Sequence, residues 1–220
     1  AQMFPFTASP STDPVTEETG GVLDLMTERG ANTRTIFSNT GAEYWRGDAS
    51  LTHVSLEGER DLSPSEPVRI YYFAGTQHAS GTYPPTDTNP ARGVRGQQQF
   101  NWVDYRPLLR TALVNLDRWV TSGEAPPPSR HPRIVDATAV LAESVAATFS
   151  LIPGVNFPEH PSHLSRLDFG PEEGIASRVP PIVGKSYANL VSAVDQDGNE
   201  LGGILLPDLT TPLGPHTGWN

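Results

Sequence analysis

A chain of 220 residues with a net charge of -10 is long enough for one domain with a sizeable core, and its acidic balance argues against a nucleic-acid partner. No apolar run approaches the ~18 residues of a membrane span, so no membrane span is expected. With no cysteine there is no disulfide, no thiolate metal site and no cysteine nucleophile.

The 22 prolines and 20 glycines predict long ordered loops between a modest number of helices and strands. Residues 1–20, rich in Pro, Thr and Ser, read as loop. Val22, Leu23 and Met26 fall at helical spacing, and Gly30 is a natural C-cap, which predicts a short helix over 22–29. Residues 34–38 are a short β-rich run, expected as a buried strand ending at Asn39. Residues 39–56 read as a loop anchored by Tyr44 and Trp45, with room for one short helical turn. Residues 68–74 are β-branched and aromatic almost throughout, as expected of a strand covered on both faces. Gly75 ends that strand, and Thr76, Gln77 and His78 follow at once.

A polar loop is expected over 80–99, placed to form one wall of a site beside His78. The best helix spans about 105–121. Asp104 serves as its N-cap, Leu108, Leu109, Ala112, Leu113, Leu116, Trp119 and Val120 lie on one face, and Gly123 is the stop. Beyond it the chain is punctuated by proline, with one helix expected within 135–148. Residues 187–194 and 201–206 are apolar runs joined by a polar turn, the pattern of a β-hairpin.

Helix, strand, loop, strand, loop, helix predicts α/β packing around a largely parallel sheet, in which ligands bind beyond the carboxyl ends of strands. Glu43 and His78 each sit shortly past such an end. If the two strands are parallel neighbours, both side chains emerge on one edge, and the roughly 30 residues between them suffice for a crossover. A carboxylate that accepts the imidazole N–H fixes its tautomer and leaves the other nitrogen to take a proton from a nucleophile. Spacing alone leaves other readings open. A lone His after a strand is more often a loop residue, and Glu43 can be a solvated acid or the partner of Arg46.

Other motifs carry less. Gly184-Lys185-Ser186 is not the end of a phosphate loop, because Val179 stands where the first Gly belongs. Asp195, Asp197 and Asn199 hint at a calcium loop, but Leu206 holds its twelfth place, so a hairpin turn is expected. His160 and His163 flank Pro161 and lack a third ligand. No metal or cofactor is expected.

The stretches Asn39-Thr-Gly-Ala-Glu-Tyr-Trp45, Phe73-Ala-Gly-Thr-Gln-His78, Asp104-Tyr-Arg-Pro-Leu-Leu109, Leu116-Asp-Arg-Trp-Val120 and Ala125-Pro-Pro-Pro-Ser129 resemble a bacterial family known only as alpha/beta hydrolase domain proteins. Blocks at 149–155, 180–185, 194–200 and 217–220 agree, so the resemblance covers nearly the whole chain. It implies an α/β fold class: the C-terminal portion of an α/β-hydrolase fold, with its last parallel strands and packing helices, plus a Pro-rich irregular segment and a β-hairpin. The strands before Glu43 and His78 would be the seventh and eighth of the hydrolase sheet, with the helix from Tyr105 packed behind the eighth.

The resemblance also implies roles. His78 would be the triad histidine and Glu43 the triad acid, with Asp48 as the competing acid, in the chain order Ser, acid, His. Members of the family carry a G-x-S-x-G-like nucleophile elbow upstream, and the oxyanion-hole donors belong upstream with it. This chain has no such motif; its nearest match, Gly184 to Ala188, follows His78 and precedes an apolar strand. The expected function is therefore part of a serine-type ester (acyl) hydrolase acting on a small-molecule ester. Residues 1–220 would form one unit, a fragment truncated at both ends, whose partner is the missing N-terminal part of the same domain; alone it should be inactive on esters. The alternative is a non-catalytic binding or structural domain on a hydrolase-derived scaffold, with Glu43 and His78 apart or separately solvated.

Overall fold

The computed structural model describes residues 4–172 and 175–220. Near the N-terminus, β1 (Ser11–Thr12) pairs antiparallel with β2 (Thr19–Gly20), and α1 (Asp24–Glu28) follows. α1 is shorter than the apolar spacing predicts and buries none of its residues, with Leu25 and Met26 both exposed. Gly30, at φ +73°, turns the chain away beyond it.

β3 (Thr35–Thr40) and β4 (Val68–Phe73) pair in parallel, with Thr35 opposite Val68 and Thr40 opposite Phe73. Their carboxyl ends are therefore level. β4 is buried at every position but Arg69, as its composition demands. β3 is only half-buried, which departs from the expected buried strand. Among the described residues its one ladder partner is β4, and its other edge is free. The far edge of β4 is covered by two parallel bridges, Tyr71 with Arg130 and Phe73 with Ile204.

The stretch expected as loop after β3 holds α2 (Gly41–Arg46) and a 3-10 turn at Ser50–Thr52. Gly47, at φ +96°, ends α2. The polar loop after His78 carries only a two-residue pair, β5 (Thr88–Asn89) with β6 (Val94–Arg95). α3 (Arg106–Ser122) runs one residue past the expected end and stops at Gly123. It packs on the strand pair, where Ala112 meets Tyr71 and Phe73 with Ile36, Tyr105 and Leu108 around them. Trp119 is buried beneath the guanidinium groups of Arg34 and Arg69, at 5.2 and 4.7 Å from its ring centre. Much of the predicted apolar face is not covered: Leu116 is half-buried, and Leu109, Leu113 and Val120 are exposed.

Two expectations are corrected beyond α3. No single helix spans 135–148. Ala137 takes φ +57°, which breaks a helix, and β7 (Ala139–Leu141) follows, then a 3-10 turn at Ala142–Val145 and α4 (Ala146–Phe149). β8 (Ser165–Asp168) and β9 (Ile182–Ser186) form an antiparallel pair in the Pro-rich segment.

The β-hairpin over 187–206 also does not form as expected. β10 (Leu190–Ser192) pairs antiparallel with β7, not with 201–206. The polar turn itself is present: Asp195 accepts the N–H groups of Asp197 and Asn199 at 2.9 Å each, and Val194 bridges Glu200. The second arm then leaves to cover β4. Gly203 permits this, because a Cβ there would stand 2.4 Å from the Tyr72 ring. α5 (Pro207–Thr210) and the C-terminal tail close the fold over the strand ends. Tyr44, Tyr72, Ala74, Val103 and Leu209 share the core beneath them.

One buried pair should make stability pH-dependent. The rings of His53 and His131 stack at 4.0 Å, His53 is fully buried, and its Nε2 bonds the Tyr44 hydroxyl at 2.7 Å. Burial, with His131 beside it, pushes His53 well down; burial also pushes His131 down. The unfolded chain takes up protons near the ordinary value of 6.5 that the folded chain refuses. Stability is thus full above that value and falls as pH drops below it, by up to about 1.4 kcal/mol per pH unit for each histidine. Urea unfolding from about pH 8 to about pH 5 measures this; a flat profile across that range would contradict it.

Candidate active site

The parallel pairing of β3 and β4 brings Glu43 and His78 to one edge. Glu43 is the third residue of α2, which starts directly after β3. Its Oε2 accepts the Thr40 N–H at 2.7 Å and the Thr40 hydroxyl at 2.5 Å. This carboxylate reaches back to the N-cap residue of its own helix, so its position follows from local geometry. The other oxygen is left free to face the neighbouring strand. There Oε1 meets His78 Nδ1 at 2.7 Å.

His78 sits on a turn that begins at Gly75, where φ is +60°. A side chain at Gly75 would collide with Leu209 as well as strain the backbone, since a Cβ would fall 2.4 Å from a Leu209 methyl. The turn is held along its length. The Thr76 hydroxyl donates to the Phe73 carbonyl at 2.6 Å, Gln77 Nε2 to the Trp219 carbonyl at 2.9 Å, and the Tyr105 hydroxyl to the His78 carbonyl at 2.6 Å. Asn101 donates its side-chain amide to the carbonyls of Gly75 and Thr217 and its N–H to Gln77. The histidine backbone is thus tied to the loop, to the residue that precedes α3 and to the tail.

The ring itself is open. The His78 side chain is 79% exposed while that of Glu43 is 13% exposed. Among the described residues only Nδ1 of the ring is bonded, so Nε2 faces outward. Burial pushes the Glu43 carboxyl up, but the Thr40 hydroxyl, His78 and the Thr40 N–H outweigh it, and the group sits below its ordinary value. It is therefore a carboxylate at neutral pH, suited to accept an imidazole N–H.

Asp48, the competing acid, does not meet His78. It is buried and paired with Arg46 through bonds of 3.0 and 2.8 Å. The same pair removes Arg46 as the partner of Glu43. Ser186 lies in exposed β9, with its hydroxyl against Ser165 at 3.1 Å and no helix after it. Among the described residues no three His, Asp or Glu side chains gather as metal ligands.

The loop after His78 lines a cavity that does not include His78. A polar cavity of about 840 Å³ lies among Thr86, Gln98, Trp102, Val155 and His216. His78 does not line it; Asn101 does, and Asn101 bonds the adjacent Gln77. A smaller cavity of about 230 Å³ lies between the N-terminal segment and residues 52–64, with neither Glu43 nor His78 in its lining.

Two features escaped sequence reasoning. Thr40, three residues before Glu43, completes a T-x-x-E capping pattern, a signal present in the sequence. Glu200 carries no such signal. It stands at the end of a polar turn, yet it is buried, and its Oε2 accepts the Gly75 N–H at 2.5 Å and the Tyr72 hydroxyl.

The carboxylate–imidazole contact thus lies beyond the carboxyl ends of a parallel strand pair, the edge where open α/β sheets bind ligands. The family model described as alpha/beta hydrolase domain matches residues 21–220, and the chain belongs to that family. No curated protein and no solved structure matches. Among the described residues no helix is long and apolar enough to cross a membrane.

Proposed function

We propose that this chain supplies the acid and the histidine of a serine-type ester hydrolase, with Glu43 and His78 as triad members and the nucleophile provided by polypeptide outside residues 1–220. The observation that carries the reading is the 2.7 Å contact between Glu43 Oε1 and His78 Nδ1, with Nε2 left open. A non-catalytic scaffold has no need to hold these groups together; the contact therefore favours the triad reading.

In the proposed mechanism His78 Nε2 takes the proton of a serine hydroxyl as the oxygen attacks the ester carbonyl. Glu43 orients the ring and stabilises the imidazolium. His78 then returns the proton to the leaving alcohol, and water resolves the acyl-enzyme by the same route. The free edge of β3 and the exposed Leu109, Leu113 and Val120 of α3 support the second half of the proposal. An unpaired strand edge beside an uncovered apolar helix face suits further strands of one sheet and the helices that cover them.

A fluorophosphonate probe, which labels activated serines, tests the reading. Residues 1–220 alone should take up no label. The same residues expressed with the coding sequence upstream of Ala1 should be labelled, at a serine of that upstream segment, and should lose the label with His78→Ala. Labelling of the 220-residue chain itself would overturn the proposal, as would a labelled long form that tolerates His78→Ala.

A further inference from the structure

We propose that Glu200 is a positioning residue that clamps the backbone under Glu43 to the backbone under His78. The inference rests on Glu43 and His78 acting as one acid–histidine unit, but its test does not use activity.

Glu200 is 4% exposed. Its carboxyl lies where three elements converge. On the β4 side, Oε2 accepts the Tyr72 hydroxyl and the Gly75 N–H, the first residue of the turn that carries His78. On the α2 side, Oε1 faces Gly41, the first residue of the helix that carries Glu43; a Cβ on Gly41 would stand 3.4 Å from it. The same Cβ would fall 2.8 Å from the Thr76 carbonyl and 2.8 Å from Gly218 Cα. Helix start, histidine turn and tail thus meet with no room for a side chain, and Glu200 Oε1 lies against the helix start without a hydrogen-bond partner among the described residues. The Trp45 indole N–H lies close enough to favour the charged carboxyl but makes no hydrogen bond to it.

Burial pushes this carboxyl up, and the Gly75 and Tyr72 donors with the nearby Trp45 indole do not fully offset it. Glu200 and Glu43 are accordingly driven in opposite directions by their surroundings. Glu43 is suited to ionise against an imidazole, whereas Glu200 serves as a buried acceptor for the Tyr72 hydroxyl and the Gly75 N–H. The useful property of Glu200 is then its acceptor oxygen and its length. A glutamine should replace it, and an aspartate, one methylene shorter, should not.

The readout is the tautomer of neutral His78, taken from imidazole ¹⁵N shifts in the 220-residue chain. In the wild type the Glu43 contact should hold the Nδ1–H form as the majority. Glu200→Gln should keep that majority. Glu200→Ala should drop Nδ1–H to the minority, and Glu200→Asp should do the same if the alanine variant does not fold. Faster exchange of the Gly75 amide should accompany the loss. An Nδ1–H majority that persists in folded Glu200→Ala or Glu200→Asp would overturn the proposal, and so would its loss in Glu200→Gln. A normal tautomer response with no serine labelling in the longer protein would instead sink only the proposed function.

Discussion

On the proposed triad reading, replacing His78 by alanine, in a protein that includes the coding sequence upstream of Ala1, is expected to lower kcat/KM for an ester substrate by about 10⁴-fold or more. That corresponds to about 5 kcal/mol of lost transition-state stabilisation, with KM little changed. The effect is large because the open Nε2 is the one ring nitrogen free to move a proton, while Nδ1 is committed to Glu43. Glu43→Gln should be nearly as damaging, for a geometric reason. Oε2 faces two donors, the Thr40 N–H and the Thr40 hydroxyl. A glutamine must keep its carbonyl oxygen on that side and turn its NH₂ toward His78. The ring is then pushed into the wrong tautomer, which costs about 10⁴-fold in Ser-His-Asp triads. Steady-state kinetics on both variants checks this; a Glu43→Gln variant within about tenfold of wild type would show that the contact does not orient the base.

Asp13→Ala is expected to destabilise the fold by about 3–5 kcal/mol. Asp13 is fully buried and holds Arg166 through two bonds, at 2.7 and 2.8 Å. The same guanidinium donates to the Lys185 carbonyl at 3.1 Å and lies 4.2 Å over the Tyr187 ring. Removing the carboxylate leaves a buried cation without its counter-charge, which is far more costly than losing a surface pair. Burial pushes the Asp13 carboxyl up, but Arg166 and the backbone donors outweigh it and hold it below its ordinary value. Its contribution is therefore present above the unfolded value near 3.8 and is lost as pH falls through the folded one. Urea unfolding of Asp13→Ala, and of Asp13→Leu combined with Arg166→Met, tests the account. The double variant should recover much of the loss, because an apolar pair needs no desolvation. A single variant within about 1 kcal/mol of wild type would mean that the pair is solvated in solution.

The chain therefore rests on two kinds of arrangement, and they differed in legibility. Local signals read well. The β-branched and aromatic run became β4, Gly75 turned the chain at its end, and Gly123 stopped α3. Patterns that need a distant partner read poorly. The apolar spacing at 22–29 produced a five-residue helix with none of its residues buried. The two apolar runs at 187–206 looked like a hairpin, but one arm found β7 and the other found β4.

By itself the sequence determined the two strands and the two residues just past them, since backbone propensity and turn chemistry act over a few positions. The α/β-hydrolase family of the chain was legible there too, and the family match over residues 21–220 bears it out. Tertiary structure alone decided which acid meets the histidine. Glu43 and Asp48 are both acidic residues after β3, and only the third position of α2, with Thr40 holding the other oxygen, aims a carboxylate across to the neighbouring strand. It also decided the burial of Glu200 beneath Gly75, 125 residues away in the chain, and the pairing of Asp13 with Arg166 across 153. A buried charge or acid must find its partner in space, and no local pattern records who that partner will be.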